Sequence, residues 1–117
     1  VDFSGAIHFT RMFAKRLLYI ASTNDVDLLN INVPMNANKN TAWKITRQSR
    51  KQYFVSTNLS NPDLIQYKRA DDYEEAESDS DIFAITKEKV VSITPISIDA
   101  TARVSLLDFE EKMSQLD

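Results

Sequence analysis

Apolar positions recur at steps of three and four through the first twenty residues. Ala6, Phe9, Phe13, Leu17 and Ile20, with Met12 beside them, share one face of a helix predicted over residues 3–21. Asp2 or Ser4 is placed to cap its start. Ser22-Thr23-Asn24-Asp25 reads as a loop. The period then becomes two. Leu29, Ile31 and Val33 alternate with Asn30 and Asn32, which predicts a strand over residues 28–33. Pro34 stops it, because proline has no amide proton for a ladder.

Residues 43–47 and 52–57 are rich in aromatic and β-branched side chains and read as two further strands. Ser60-Asn61-Pro62-Asp63 is a turn, and residues 64–68 read as a returning strand. Residues 43–68 are therefore expected to form one long hairpin arm. A lone hairpin is marginal in water, so such an arm calls for a partner surface. Residues 71–81 read as a solvated acidic loop, and 82–89 as a short helix or turn. A strand is predicted over 90–94, ending at Pro95. Ser105-Leu106-Leu107-Asp108 has the form of a capping box. It opens a last helix with Leu106, Phe109, Met113 and Leu116 on one face. Residues 90–117 make a closing strand and helix, and the 117 residues suit one domain.

Composition removes several chemistries. Gly5 is the only glycine, so no dinucleotide fingerprint, phosphate loop or nucleophile elbow exists here. There is no cysteine, which excludes disulfides and thiolate sites and accords with a reducing, cytoplasmic location. No apolar stretch approaches the ~20 residues that span a bilayer, so no membrane partner is expected. The start at Val1 shows no leader pattern. A helix beginning almost at residue 1 is expected of a sequence that covers part of a longer protein.

The net charge is −3, unevenly placed. Asp71, Asp72, Glu74, Glu75, Glu77, Asp79 and Asp81 crowd one stretch, and the remainder is mildly basic, densest at Lys44, Arg47, Arg50 and Lys51. The acidic run has oxygens for a hard cation but neither a fixed frame nor calcium-loop spacing, so it reads as solvated surface. His8 lies mid-helix with no partner near it in sequence and reads as structural or surface. Asn30 and Asn32 share a strand face, either lining a cleft or facing solvent. The basic cluster interleaves with Trp43, Tyr53 and Phe54, the look of either a phosphate or single-strand surface or a solvated hairpin face. Arg47 and Arg50 are the candidate substrate-binding residues, since guanidinium grips phosphate in a bidentate fork.

Several segments, in order, resemble the C-terminal half of the SurE (survival protein E) nucleotidases. Leu28-Leu29-Asn30-Ile31-Asn32-Val33-Pro34 is similar to the family's Asn-rich strand. Thr46-Arg47-Gln48-Ser49-Arg50, with Tyr53 after it, is similar to its Thr-Arg-x-x-Arg element. Asp81 and Ala84, then Val91-Ser92-Ile93-Thr94-Pro95-Ile96 and Asp99-x-Thr101, are similar to its closing signature. The helix holding Gly5-Ala6 resembles the one upstream of the Asn-rich strand. The match departs at Lys89, where the family usually has glycine, at Asp63-Leu64 after the turn proline, and at Tyr67-Lys68-Arg69.

The resemblance implies an α/β fold, the C-terminal part of a Rossmann-like SurE fold with a projecting β-hairpin and a C-terminal helix. It implies a 5′-nucleotidase that releases phosphate from nucleoside monophosphates with a divalent cation, Mg or Mn. The family's metal ligands lie in its N-terminal half, so no catalytic or metal residue is assigned to this segment, which is expected to be inactive alone. It implies a dimer or tetramer built by exchange of the hairpin and the C-terminal segment. The alternative is a non-enzymatic dimerisation module, or an arm binding single-stranded nucleic acid through Trp43, Arg47, Arg50 and Tyr53. The acidic net charge makes nucleic acid the less expected partner.

Overall fold

The computed structural model describes residues 1–20, 25–57, 63, 66–70 and 75–115. Helix α1 spans Ser4–Tyr19. Asp2 serves its first turn, its Oδ1 accepting the Ser4 amide at 2.8 Å. Strands β1 (Leu28–Asn32), β2 (Trp43–Ile45), β3 (Phe54–Thr57) and β4 (Gln66–Arg69) follow. A short helix α2 (Asp81–Phe83) runs into a π-helical turn over Ala84–Glu88. Strand β5 (Val91–Ile96) and helix α3 (Leu106–Ser114) come last. Mixed helix and strand around a mixed sheet give the expected α/β class.

The main sheet has the order β1-β5-β2. Strand β5 is antiparallel to β1, with Asn30 opposite Thr94 and Asn32 opposite Ser92. It is parallel to β2, with Ile45 opposite Ile93. The alternation read in the sequence decides the faces. Leu29, Ile31 and Val33 pack toward α1, where Phe9, Phe13, Val91 and Ile93 form the buried core. Burying each such side chain contributes roughly 1.5–3 kcal/mol. Of the predicted helix stripe, Phe9 and Phe13 are buried, while Ile20 at the helix end is exposed.

The other face of β5 is buried too, but by hydroxyls. Thr46 Oγ1 shares hydrogen bonds with Ser92 Oγ at 2.7 Å and Thr94 Oγ1 at 2.8 Å. Burial without such pairing would cost each hydroxyl about 1–3 kcal/mol. α2 and the π-helical turn pack beside this face, with Ser80 and Ala84 wholly inaccessible. Ser80 Oγ caps α2 by accepting the Phe83 amide at 3.1 Å. Lys89 closes the turn in the left-handed conformation, φ 57° and ψ 38°, and its amide donates to the Ala84 carbonyl.

Two boundaries differ from the sequence reading. The expected arm over 43–68 divides. Trp43–Ile45 joins the main sheet beside β5, and the hairpin is β3–β4, with Phe54 opposite Arg69 and Thr57 opposite Gln66. Trp43 packs its ring edge-on to Phe13, at 5.0 Å between centroids, which ties this strand to α1 beside the main sheet. The predicted turn at 60–63 and the start of the returning strand fall largely outside the described residues. The last strand also runs on through Pro95 to Ile96. Pairing with β2 ends at Ile93, where the Thr46 amide donates to the Ile93 carbonyl, and Pro95, without an N–H to continue that ladder, stays opposite Leu29 of β1.

Beyond β5 the chain is tied in a small knot. The Arg103 guanidinium donates to the carbonyls of Thr101 (2.7 Å) and Asp99 (2.8 Å) and to Ser97 Oγ (2.8 Å), and pairs with Asp25 Oδ2 at 2.7 Å. Helix α3 leaves from this knot. Ser105 caps it as expected, accepting the Asp108 amide at 3.3 Å. Every described residue of α3 is exposed, Leu106, Leu107, Phe109 and Met113 among them. The radius of gyration is 18.6 Å. A compact domain of this length would have ~13 Å.

Candidate functional site

The Thr-Arg-x-x-Arg element and the acidic run, far apart in sequence, form one clasp. The Arg47 amide donates to the Asp79 carbonyl at 3.0 Å and the Asp81 amide to the Arg47 carbonyl at 2.9 Å. Above this bridge Arg47 Nε lies 3.1 Å from Asp79 Oδ2. The Ser49 amide donates to Asp81 Oδ1 at 2.9 Å, and Ser49 Oγ to Glu77 Oε2 at 2.6 Å. The Arg50 amide donates to Glu77 Oε1 at 3.1 Å, and its Nε lies 3.5 Å from the same oxygen. The Ser49 hydroxyl above all, then the Glu77 and Arg50 amides, hold the Glu77 carboxyl at about 2, well under its usual 4.5.

Residues 77–81 are therefore not the unattached solvated surface that their charge suggested. Repulsion among the carboxylates is relieved by two guanidiniums and several amides. Asp71, Asp72 and Glu74 lie outside the described residues. Arg47 and Arg50 already have carboxylate partners, though both side chains stay largely exposed. Such surface pairs contribute only about 0–1 kcal/mol each.

The candidates for a single-strand surface separate. The Arg16 guanidinium stands 5.6 Å over the Trp43 ring on the α1 side of the sheet. Lys44, the next residue along the strand, pairs with Glu88 at 2.7 Å. Tyr53 packs edge-on to Phe54 at 4.5 Å, beneath the hairpin. His8 lies on α1 with its ring edge-on to Phe9, beside Arg11, Lys15 and Arg16.

A cleft of about 330 Å³ opens where β1 ends. Asn32 and Val33 form one wall, Tyr53 and Phe54 a second, and Asp81, Ile82, Ile85 and Thr86 the third. Asn32 thus lines a cleft, whereas Asn30 is exposed. The α2 wall escaped the sequence reading. Its signal was the Ser80-Asp81 cap ahead of Ile82 and Ile85. Among the described residues no three His, Cys, Asp or Glu side chains are grouped to hold a metal ion. No helix of the described residues is long and apolar enough to cross a membrane.

Three of the segments that carry the family resemblance meet on β5. The Asn-rich strand flanks it on one side, Thr46 reaches its hydroxyl face, and Asp81 holds the loop after Thr46. Comparison with known proteins agrees. No family profile matches the chain. The chain is 39% identical over 118 residues to a protein named 5′-nucleotidase SurE from Thermococcus kodakarensis, covering 95% of this chain and 43% of the relative. It is 34% identical over 112 residues to the protein of that name from Methanosarcina acetivorans, covering 93% and 42%. For Methanococcus maripaludis strain C5 the figures are 31% over 118 residues, 98% and 44%.

The chain belongs to the SurE family. It spans less than half the length of these SurE relatives, a share consistent with the C-terminal half. Its departure from the SurE pattern at Lys89 now has a physical meaning. The backbone there is left-handed, the conformation in which glycine is at no disadvantage.

Proposed function

We propose that the protein containing this chain is a 5′-nucleotidase that hydrolyses nucleoside monophosphates to nucleoside and phosphate, and that it requires Mg or Mn. The observation that carries this is 39% identity over 95% of the chain to a protein named 5′-nucleotidase SurE. The metal ligands would come from outside this segment. The chain's own share is a wall of the substrate cleft and the contacts between subunits. Arg47 and Arg50 stand at the rim of the clasp as the candidate anion contacts.

The shape supports the assembly role. The hairpin β3–β4 forms a separate two-stranded sheet with an exposed β4, and such a sheet is marginal in water by itself. Helix α3 presents four large apolar side chains to solvent. A second copy, in a dimer or tetramer formed by exchange of these two elements, would cover both.

The test is phosphate release from nucleoside monophosphates by the full-length protein, with Mg or Mn and after chelation. Chelator-sensitive release is expected, and its absence for every nucleoside monophosphate rejects the reading. The 117-residue segment by itself should release none. The alternative of a single-strand-binding arm is less favoured, because the Trp43 ring packs on Phe13 of α1 and its strand joins β5 rather than the hairpin beside Tyr53.

A further inference from the structure

The cleft at the end of β1 has a chemistry that none of the foregoing assigns. We infer that it is a nucleoside subsite, taking the planar heterocycle of the substrate rather than its phosphate. The inference rests on the nucleotidase reading for the identity of the ligand.

Asn32 ends β1, antiparallel to β5, and Val33 follows it into the cleft. About 330 Å³ lies at the small end of the ~300–1,000 Å³ usual for small-molecule sites, which suits one flat ring system and part of a sugar.

The lining decides which end of a nucleotide enters. Val33, Ile82 and Ile85 are apolar, and Tyr53 and Phe54 supply rings. Among the described lining residues Asp81 is the one carboxylate and there is no lysine or arginine, while the Arg69 guanidinium stands 5.8 Å over the Tyr53 ring. A phosphate set against Asp81 would meet a carboxylate. A neutral heterocycle meets rings on which to stack and groups to which it can hydrogen-bond.

Those groups have capacity to spare. Asp81 uses Oδ1 twice, for the Ser49 amide at 2.9 Å and the Ile82 amide at 2.8 Å. Among the described residues no bond is made to its Oδ2. The half-buried Asn32 side chain likewise makes none. The Thr86 hydroxyl is already donating to the Ile82 carbonyl at 2.7 Å. An amide that donates and accepts, and a carboxylate oxygen that accepts, match the edge of a base or a ribose hydroxyl. Asp81 also holds the clasp, so Asn32 and Tyr53 are the residues to alter.

The experiment uses the full-length protein and two readouts. Adenosine binding is measured by calorimetry. Hydrolysis of adenosine 5′-monophosphate is compared with that of ribose 5-phosphate, which lacks the base. Loss of a stacking ring costs about 1–3 kcal/mol, or roughly a factor of ten or more. Tyr53→Ala and Asn32→Ala are expected to lower the ratio of kcat/KM for the nucleotide over the sugar phosphate about tenfold, through KM, and to weaken adenosine binding in step. Tyr53→Phe keeps the ring and is expected to keep both. Circular dichroism confirms that each variant is folded. An unchanged ratio and unchanged adenosine affinity in folded Tyr53→Ala overturn the inference, as does equal loss on both substrates. Should the wild type hydrolyse neither substrate, the nucleotidase reading fails. Adenosine binding lost in Tyr53→Ala would still support the subsite, and no adenosine binding would overturn it as well.

Discussion

Gly5 lies directly against the backbone of Ala37. A Cβ placed on Gly5 would stand 2.4 Å from the Ala37 carbonyl oxygen and 2.8 Å from its carbonyl carbon. The lone glycine of the chain is thus the point where α1 touches the loop after β1. Gly5→Ala gains helix propensity of ~1 kcal/mol. It must also push backbone aside, and such overpacking costs about 1–3 kcal/mol or more. The expected net effect is destabilisation of about 1–2 kcal/mol by urea denaturation. A variant as stable as the wild type would show that the loop yields freely.

Lys89 offers the opposite experiment. Its left-handed backbone is one that costs a residue with a side chain about 1–2 kcal/mol. Part of that gain is offset in glycine by the greater freedom of its unfolded chain, ~0.5–1 kcal/mol. Lys89→Gly is expected to stabilise the protein by up to ~1 kcal/mol. Lys89→Val is expected to destabilise it, because a β-branched side chain fits this region worst. Melting temperatures that order Val above Lys above Gly would contradict the assigned backbone.

The clasp gives a pH signature. Folding lowers the Glu77 carboxyl from 4.5 to about 2, chiefly through the Ser49 hydroxyl. The ionised form is favoured in the folded state, so its stabilisation is complete above about pH 4.5 and is lost as pH falls through about 2. Urea midpoints measured across that window should fall less steeply for Glu77→Gln than for the wild type. Ser49→Ala should bring the Glu77 titration, followed by NMR, back toward the usual carboxylate range.

Helix α3 makes the assembly reading testable. Phe109 and Met113 are each 55% exposed. In a monomer, Phe109→Glu with Met113→Glu should hardly alter stability, since surface changes lie within about 0.5 kcal/mol. In an exchanged oligomer the two charges would enter an apolar contact. Sedimentation of the full-length double variant is expected to shift toward monomer. An unchanged mass would remove α3 from the interface.

Much of this was legible in the chain. The switch from a period of three and four to a period of two located α1 and β1 and showed which faces they bury. Ser105 and Asp108 announced the last helix. What escaped the sequence was pairing at a distance. Nothing near Trp43 reveals that its strand lies parallel to Val91–Ile93 rather than against residues 52–57. Local pattern carries the period of a strand, not the address of its neighbour. The clasp escaped for the same reason. Glu77 and Asp79 read as repelling charges until the fold sets Arg50 and Arg47 beside them. In the site, Asn32 was visible as one of two alternating asparagines, but only the end of β1 distinguishes it from Asn30.

Strand β5 is the last strand in the sequence and the middle one in the sheet. Its partners begin at Leu28 on one side and Trp43 on the other. Contacts so distant along the chain are slow to form, because the loop must be closed before any pairing rewards it. During synthesis β1 and β2 leave the ribosome without the strand that joins them. Phe9 and Phe13 have no Val91 or Ile93 to cover them until some eighty residues later. A nascent chain halted ahead of Val91 would leave β1 and β2 without the strand that pairs with both, an open invitation to chaperones and proteases.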